Sequence, residues 1–503
     1  MRTAYQNAVL LLFYKHSVAA HFVGDDALGV PLCGLFQTFV ILNAVKDLQP
    51  NSTSRVGACI ARPREDNKYR TKFKKKGNIM SYIKIICGKL YDGIRDELQL
   101  NKEILIKDKY IEAVGENLET PENCKVIDLS HLTVTPGMID AHVHASYFDW
   151  REIDKDAIFY SDGMRALAAA ECARKALAGG FTTIRHIGWF REDYSLDVKR
   201  AIDMGYIEGS RMIAAPHFIC APGSHGDSTQ KIATNPALSR FMETQYPTMG
   251  SGAEFFRDAV RHEVKIGADY IKIMATGGFF TPNDSPEDKQ LSDDELRAII
   301  DTAHSLHTTV TAHAYTTDLC TTLANMGIDG IEHASLINEE TARLLEEKDV
   351  YVVPTFCPYD EIVLLDEEKL AQKSPEFQKK LRHYRENLVN SREILKNSKI
   401  RLGYGTDLVV GYQNYECGRE YSAWLRNGMD PFRTLKAATA VNAQIMGLDD
   451  KIGTIEPGKC ADIAGWKRDL LTDDKALLDC GFVMKEGKES IPHSIIDDYA
   501  DEK

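Results

Sequence analysis

The sequence predicts an α/β protein built around a parallel β/α barrel, with a smaller β domain beside it. Two observations predict this fold class. Helical stretches alternate with short apolar strands through the middle of the chain, as a parallel barrel requires. The length of 503 residues accommodates a barrel of roughly 250 to 400 residues plus a further domain. The clearest predicted helices span 164–178, 253–266, 293–307 and 316–326.

The composition is that of an ordinary globular enzyme. Hydrophobic residues make up 44% of the chain and charged residues 27%, both usual values for such proteins. The formal net charge is −13 and the pI about 5.7, so nothing favours nucleic acid or an anionic membrane as a partner. The eleven cysteines include no Cys-x-x-Cys pair. This argues against a disulfide framework and favours a reducing, cytoplasmic location.

The first 79 residues stand outside the barrel pattern. The apolar stretch 28–45 approaches the roughly 18 residues of a membrane span or signal, but it contains Pro31 and Gly34, and basic residues are frequent from 62 to 76. We interpret residues 1–79 as an appended, poorly ordered extension or as residues upstream of the natural start. If the extension is instead a signal, the protein would be secreted.

Deletion of residues 1–79 should leave the function intact, because the regular pattern of strands and helices begins at Met80. The test compares kcat/KM of the 80–503 fragment with that of the full chain on the same substrate. Loss of activity in a fragment that keeps the thermal stability of the full chain would contradict this interpretation.

Two histidines lie on alternate residues where an extended run turns polar. The run from Thr133 to His144 reads TVTPGMIDAHVH, and the period of two in a strand places His142 and His144 on the same side of the strand end. Imidazole nitrogen suits zinc, manganese or iron, so the pair can chelate one such ion. Taken alone, the pair would fit the polar face of an ordinary strand equally well.

The segment from Pro136 to His144 resembles the amidohydrolase superfamily, whose first barrel strand ends in Pro-Gly-x-Ile-Asp-x-His-x-His. The resemblance implies a (β/α)8 TIM barrel over residues 135–445. It also implies a small β-sandwich domain built from both chain ends, 80–134 and 446–503.

Sequence patterns at both ends agree with that second domain. Residues 83–90 and 103–111 alternate as antiparallel strands. Residues 453–462, GTIEPGKCAD, are similar to the superfamily's Gly-x-Ile-x-Pro-Gly-Lys-x-Ala-Asp.

A single lysine lies in the β-rich run 268–274. By itself, Lys272 would be an edge residue or a side chain whose ammonium group reaches solvent. The resemblance implies a carboxylated lysine at this place. Burial lowers the pKa of a lysine towards neutrality, which frees the amine to take up carbon dioxide, and the resulting carbamate has two oxygens. We therefore predict that Lys272 bridges two divalent metal ions, with zinc the expected metal.

Three further strand ends supply candidate ligands. The runs 309–313 and 330–333 each end in a histidine, a residue that is commonly structural at such a place. The resemblance implies that His313 and His333 bind the second metal while His142 and His144 bind the first. Residues 401–407, RLGYGTD, resemble the superfamily's Gly-Thr-Asp at the last barrel strand. Asp407 is accordingly predicted as a metal ligand and as the general base.

Two residues are candidates for substrate recognition. Residues 221–227, APGSHGD, resemble the Gly-Gly-His-Gly-Asp of the branch that contains zinc-dependent prolidases, other Xaa-amino-acid dipeptidases and the fungal ochratoxin amidase. The resemblance implies that His225 donates a hydrogen bond to the scissile carbonyl and that Tyr315 binds the free carboxylate of the substrate. The alternative interpretations are a histidine beside a Gly-Asp turn and a tyrosine that packs at a helix start.

One position departs from the branch pattern. The branch has Thr-Thr-x-Arg-Asp-x-Gly after the second strand, whereas residues 182–188 read TTIRHIG. His186 therefore replaces an acid near the expected mouth of the site, which puts the substrate preference in question. A second feature, the loop 277–290, is long and rich in glycine and proline, and we expect it to cover the site.

The residues and the resemblance together predict a metal-dependent hydrolase with a metal-bridging hydroxide. The expected substrate is a small N-acyl amino acid or dipeptide with a free carboxylate on the leaving amino acid. A cyclic-amide hydrolase of the imidazolonepropionase type is the second candidate, and a catalytically inactive barrel scaffold the third. A homo-oligomer is expected, because oligomers are frequent in this branch.

Overall fold

The structure is a computed structural model that describes residues 81–146, 160–189, 191–279, 281, 283–363, 365–408 and 413–498. All of them belong to the second of two units, Gly77–Lys503. The predicted extension 1–79 lies outside the described residues. No helix within the described ranges has the length and apolar character needed to cross a membrane.

Strands and helices alternate through the centre of the chain. The strands are β1 (Tyr82–Leu90), β2 (Gln99–Leu100), β3 (Glu103–Lys107), β4 (Tyr110–Gly115), β5 (Lys125–Pro136), β6 (Met138–Val143), β7 (Phe181–His186), β8 (Arg211–Ala214), β9 (Phe218–Ile219), β10 (Ile271–Met274), β11 (Val310–Thr316), β12 (Gly330–Leu336), β13 (Tyr351–Val353), β14 (Ile463–Trp466), β15 (Cys480–Lys485) and β16 (Lys488–Ser490). The α-helices are Asp162–Ala178, Tyr194–Asp203, Pro236–Glu243, Ala253–Ile266, Asp293–Ser305, Thr317–Met326, Glu339–Glu347, Phe356–Val363, Glu367–Ala371, Pro375–Asn397, Arg419–Arg426, Pro431–Lys436 and Asn442–Ile445.

One eight-stranded sheet contains strands from both ends of the described chain. Its order is β16-β15-β14-β5-β1-β3-β4, with β2 paired to β1. The long strand β5 joins the two halves, because it pairs in parallel with β1 and antiparallel with β14. Apolar side chains of β1, β3, β5 and β15 form a separate core cluster for this sheet. The two ends of the described chain thus meet in one sheet.

The central strands form parallel sheets covered by helices. The orders are β6-β7-β8 and β13-β12-β11-β10-β9. Hydrogen bonds link the last predicted strand to both groups: Gly403 N–H donates to Val352 O at 2.8 Å, and Ala141 N–H donates to Tyr404 O at 2.8 Å. This is the TIM-barrel-type α/β fold predicted from the sequence.

Side chains on alternate residues of these strands have different surroundings. Ile271, Ile273 and Ala312 belong to the large apolar core cluster. Lys272 and His313, which alternate with them, are also buried but carry polar groups. Because a strand turns successive side chains to opposite faces, the polar set lies on the other face of the sheet from the apolar set.

Most predicted elements appear close to their expected bounds, with two differences. The predicted single strand 103–111 is two strands, β3 and β4, because the chain turns at Asp108, where φ is +56°. The predicted strand 401–407 makes one parallel bridge, between Leu402 and Val352, rather than a continuous ladder. None of the nine cysteines of the described residues forms a disulfide.

Candidate metal centre

The two histidines of the first motif lie side by side at the carboxyl end of β6. Their ring centroids are 5.6 Å apart, and both side chains are buried. The Nε2 atoms of His142 and His144 lie 3.5 and 3.4 Å from the same oxygen, Oδ1 of Asp407. His144 Nδ1 is held 3.0 Å from Gly188 O. The first and last motifs of the predicted barrel thus meet at one point.

His313 and His333 come from the neighbouring strands β11 and β12. The parallel register pairs Ala314 with His333, so the two histidines lie at adjacent levels, with ring centroids 4.6 Å apart. His333 also lies 5.4 Å from His142, centroid to centroid. Its Nδ1 atom is held 2.7 Å from Thr355 Oγ1. One atom each of His142, His333 and Asp407 lie within 4.8 Å of one another, and this group can hold a metal ion.

Asp407 reaches this point because the chain beside it lies very close to β6. A Cβ atom on Gly405 would lie 2.7 Å from Cβ of His142, so only glycine fits there. Asp407 N–H donates to His142 O at 2.8 Å. The backbone of Asp407 has φ of +48°, and that of His333 has φ of +77°. Left-handed backbone of this kind in non-glycine residues is concentrated at functional sites.

Lys272 is buried on β10, next to the strand of His313. It is 1% exposed, and its strand pairs Met274 with His313. Within the described residues, its ammonium group makes no hydrogen bond or ion pair. Burial lowers the pKa of Lys272 to about 8, although Glu332 and Asp407 oppose the shift. A large part of this lysine is therefore a neutral amine near pH 8.

Burial also keeps the imidazoles neutral. It lowers the pKa of His313 and His333 well below the usual value, and each is further lowered by repulsion from neighbouring histidines and Lys272. The pKa of His142 is lowered by burial as well, against the attraction of Asp407. A neutral imidazole is the form that binds a metal. The imidazoles of His142, His313 and His333 are thus in the protonation state that divalent cations require.

Glu332, which the sequence interpretation missed, contacts the ring nitrogen of His142 that does not face Asp407. The Oε2 atom of Glu332 lies 2.7 Å from His142 Nδ1, and its Oε1 atom accepts from Arg185 at 2.7 Å and from Thr311 at 2.6 Å. Burial opposes ionisation, but Arg185 and His142 hold the pKa of Glu332 far below its usual range. The signal in the sequence was a glutamate one residue before His333 inside an apolar strand.

His225 lies against the ligand group. Its ring stacks on that of His313 with centroids 4.5 Å apart and planes at 21°. Its Nδ1 atom lies 2.7 Å from Thr281 Oγ1 and 3.6 Å from Oδ2 of Asp284. Within the described residues, Nε2 of His225 has no hydrogen-bond partner. This nitrogen is free to face a substrate.

Tyr315 is buried and packs on the histidines. Its ring stacks on His333 with centroids 5.1 Å apart, and its hydroxyl makes a hydrogen bond with that of Tyr359. Burial and Tyr359 raise the pKa of Tyr315 well above the usual value, so the hydroxyl remains a donor. If Tyr359 donates to Tyr315, the proton of Tyr315 is available to a further acceptor. The structure therefore accommodates both interpretations of Tyr315, as a donor to the substrate carboxylate and as a packing residue at a helix start.

His186 does not lie exposed at the mouth of the site. It is fully buried, with Nε2 2.7 Å from Oε2 of Glu192, and its Nδ1 accepts from Ala145 N–H at 3.2 Å. Glu192 also accepts from Arg165 at 3.0 Å. The imidazole of His186 thus holds Ala145, the residue after His144, and with it the end of β6.

A second group of potential ligands lies elsewhere, at Asp193, His217 and His262. His217 has protein partners at both ring nitrogens. Its Nδ1 lies 2.9 Å from Oε1 of Glu263, and its Nε2 accepts from Glu192 N–H at 3.2 Å. We assign no metal to this group.

This chain is similar to known proteins over most of its length. The model of the amidohydrolase family matches residues 133–489. Ochratoxinase of Aspergillus niger is 26% identical over 409 residues, which cover 78% of this chain and 82% of that protein.

Solved structures with the same fold include two peptidases. A Xaa-Pro dipeptidase with bound methionine superposes with a TM-score of 0.72 at 27% identity, covering 81% of this chain and 99% of the other. A prolidase complexed with N-methylphosphonate-L-proline gives 0.70 at 28% identity, covering 82% and 100%. With the family model matching well over half of its length, this chain belongs to the amidohydrolase family and is a hydrolase that acts on C–N bonds.

Proposed function

We propose that this protein hydrolyses the amide bond of an N-acyl amino acid or dipeptide whose leaving amino acid carries a free carboxylate. The observation that carries the proposal is the stacking of His225 on His313, because it puts a hydrogen-bond donor for a carbonyl beside the candidate ligands. The relatives support the substrate class: they include an ochratoxinase, a Xaa-Pro dipeptidase and a prolidase bound to an N-substituted proline.

We infer that the centre takes two divalent ions, with zinc the expected metal. His142 and His144 would hold one ion and His313 and His333 the other, with Asp407 as a further ligand. The buried, unpaired amine of Lys272 suits carboxylation, and its carbamate would bridge the ions. When bound, such ions polarise a carbonyl and lower the pKa of water.

Asp407 is suited to move the proton of the attacking water. Burial opposes its ionisation, but His142 and His144 hold the pKa of Asp407 below its usual value, so the carboxylate is ionised at neutral pH. It accepts a proton as the water oxygen bonds to the carbonyl carbon. It then returns the proton to the amide nitrogen as the C–N bond breaks, which releases an amine and a carboxylic acid.

His225 and Tyr315 would orient the substrate around this step. The Nε2–H of His225 donates to the carbonyl oxygen, where negative charge develops in the transition state. Tyr315, with Tyr359 behind it, donates to the free carboxylate of the leaving amino acid. Both roles need a substrate that carries an acyl carbonyl at one end and a carboxylate at the other.

The finer architecture completes the proposal. We infer that the parallel strands close into an eight-stranded barrel over residues 135–445, in which β8 and β9 together form one barrel strand. Segment 401–407 is the last barrel strand and closes the barrel through its hydrogen bonds to β13 and β6. Three further points stay predictions. They are the boundaries of the second domain at 80–134 and 446–503, its sandwich form, and the homo-oligomer. Closure would place every candidate ligand at the carboxyl end of the barrel, where active sites of this fold lie.

A screen of zinc-loaded protein tests the function. N-acetyl and N-aroyl amino acids, Xaa-Pro and other dipeptides, and the same amides with a methyl ester at the carboxylate should be compared. We expect hydrolysis of the free acids and a much weaker reaction with the esters, because the ester removes the anion that Tyr315 would bind.

Two outcomes would overturn the proposal. Hydrolysis of hydantoin-like or imidazolone rings without hydrolysis of linear amides would favour a cyclic-amide hydrolase. Purified protein that binds neither zinc nor manganese, and cleaves none of these compounds, would favour an inactive scaffold.

A further inference from the structure

The loop after β10 lies directly against His225. We call its described residues, 277–279, 281 and 283–290, the His225 loop. A Cβ atom on Gly278 would lie 2.2 Å from Cε1 of the His225 ring, so the ring rests on bare backbone. His225 N–H donates to Oε1 of Gln290, at the other end of the loop, at 2.8 Å. The ring is therefore enclosed between this loop and His313.

Asp284 carries a buried negative charge inside the loop. Its side chain is only 2% exposed. Oδ2 faces Nδ1 of His225 at 3.6 Å and accepts from Gln290 at 3.3 Å, whereas Oδ1 makes no hydrogen bond. A buried carboxylate is costly unless cations face it. Asp284 thus attracts whatever positive charge or N–H dipole the His225 ring presents.

Lys380 provides the second partner, from the Pro375–Asn397 helix. Its Nζ atom lies 3.6 Å from Oδ1 of Asp284. The same ammonium group donates to Gly278 O at 2.8 Å and to Thr281 O at 2.7 Å. Gly278 is the residue that contacts the His225 ring, and Thr281 is the residue that binds its Nδ1. One cation from outside the barrel strands therefore holds the loop at the two points that define the ring position.

We propose that Asp284 and Lys380 are positioning residues that clamp the imidazole of His225 over His313. The inference rests on the proposed function, in which Nε2 of His225 donates to the substrate carbonyl. The loop begins with Gly277 and Gly278, whose backbone has more conformational freedom than that of other residues. Because a donor contributes only when it is already aimed at the developing charge, we expect the clamp to act on the chemical step rather than on substrate affinity.

The test uses full-length, zinc-loaded protein and conservative variants. Asp284→Asn keeps the shape but removes the charge, and Lys380→Met keeps the stem but removes the donors. Two exposed neighbours provide matched controls: Lys379→Met, from the same helix, and Glu287→Gln, from the same loop. Asp284→Asn and Lys380→Met should lower kcat about tenfold to a hundredfold with little change in KM. The controls should retain wild-type values.

A double-mutant cycle separates positioning from general damage. The double variant that carries both His225→Asn and Asp284→Asn should have the same kcat as the single variant His225→Asn, because Asp284 acts only through the His225 ring. Additive losses would overturn the clamp, as would unchanged kcat in Asp284→Asn when His225→Asn is impaired. Unchanged kcat in His225→Asn itself would contradict the proposed function of His225 instead.

Hydrogen exchange gives a readout that needs no substrate. Amides of residues 277–290 should exchange about tenfold faster in Lys380→Met than in Lys379→Met, while exchange in β10 and β11 stays unchanged. Equal exchange in the two variants would refute the clamp even if no amide substrate were found. Faster exchange throughout the barrel would show general destabilisation, which also contradicts it.

Discussion

Replacing Lys272 by alanine should lower kcat about a thousandfold, because metal ions contribute several kcal/mol of transition-state stabilisation and each 1.36 kcal/mol is tenfold in rate. The side chain is buried, has a pKa lowered to about 8 and lies next to the strand of His313. Its loss should also reduce the bound metal from two ions per chain to one or none. Elemental analysis and steady-state kinetics of the same preparation measure both effects.

The control for this variant is Lys265→Ala, an exposed lysine in the helix before β10. It should retain wild-type metal content and rate. Acetate or formate added to Lys272→Ala should restore part of both, because a small carboxylate can supply the two oxygens that the carbamate would provide. A Lys272→Ala protein with full metal content and rate would show that the lysine is only a packing residue.

Replacing Glu332 by glutamine should destabilise the protein and weaken metal binding together. Arg185 and Glu332 form an ion pair of 2.7 Å with side chains at most 3% exposed, and removing one partner of a buried pair costs about 3 to 5 kcal/mol. The change also disturbs the hydrogen bond to His142 Nδ1. Loss of such a support typically lowers metal affinity or activity about 10- to 100-fold.

Urea unfolding in chelator and zinc titration of the folded protein measure these two effects separately. Glu339→Gln is the matched control, because its partner Arg343 lies 3.8 Å away and both side chains are largely exposed. It should behave as wild type in both measurements. If Glu332→Gln equals this control in zinc affinity, Glu332 does not support His142 as a ligand.

The parts of the centre that could be predicted share one property: each is tied to a strand end by a short local pattern. His142 and His144 were recognisable because the period of a strand puts alternate residues on one side. His313, His333 and Asp407 followed from the resemblance to the amidohydrolase superfamily, in which the carboxyl ends of the barrel strands lie at one face. Donor atoms of three of these residues, His142, His333 and Asp407, lie within 4.8 Å of one another.

The parts that could not be predicted depend on contacts between residues distant in the chain. Glu332 reads as one acid in an apolar strand, and only the structure shows it between His142 and Arg185. His186 was recognisable as a departure from the branch pattern, and only the structure shows that it is buried against Glu192. Lys380 lies 155 positions after His225 on an ordinary polar helix, and no local pattern links the two.

The sequence by itself determined the fold class, the two-ended origin of the terminal sheet and the chemical types of the ligands, because these follow from periodicity and short motifs along the chain. The tertiary structure alone decided which groups support the ligands and how the substrate-facing ring is held. Burial and Coulomb interactions act through space and vary steeply with distance. The lowered pKa values of Lys272 and Glu332 thus exist only once the strands have assembled around them.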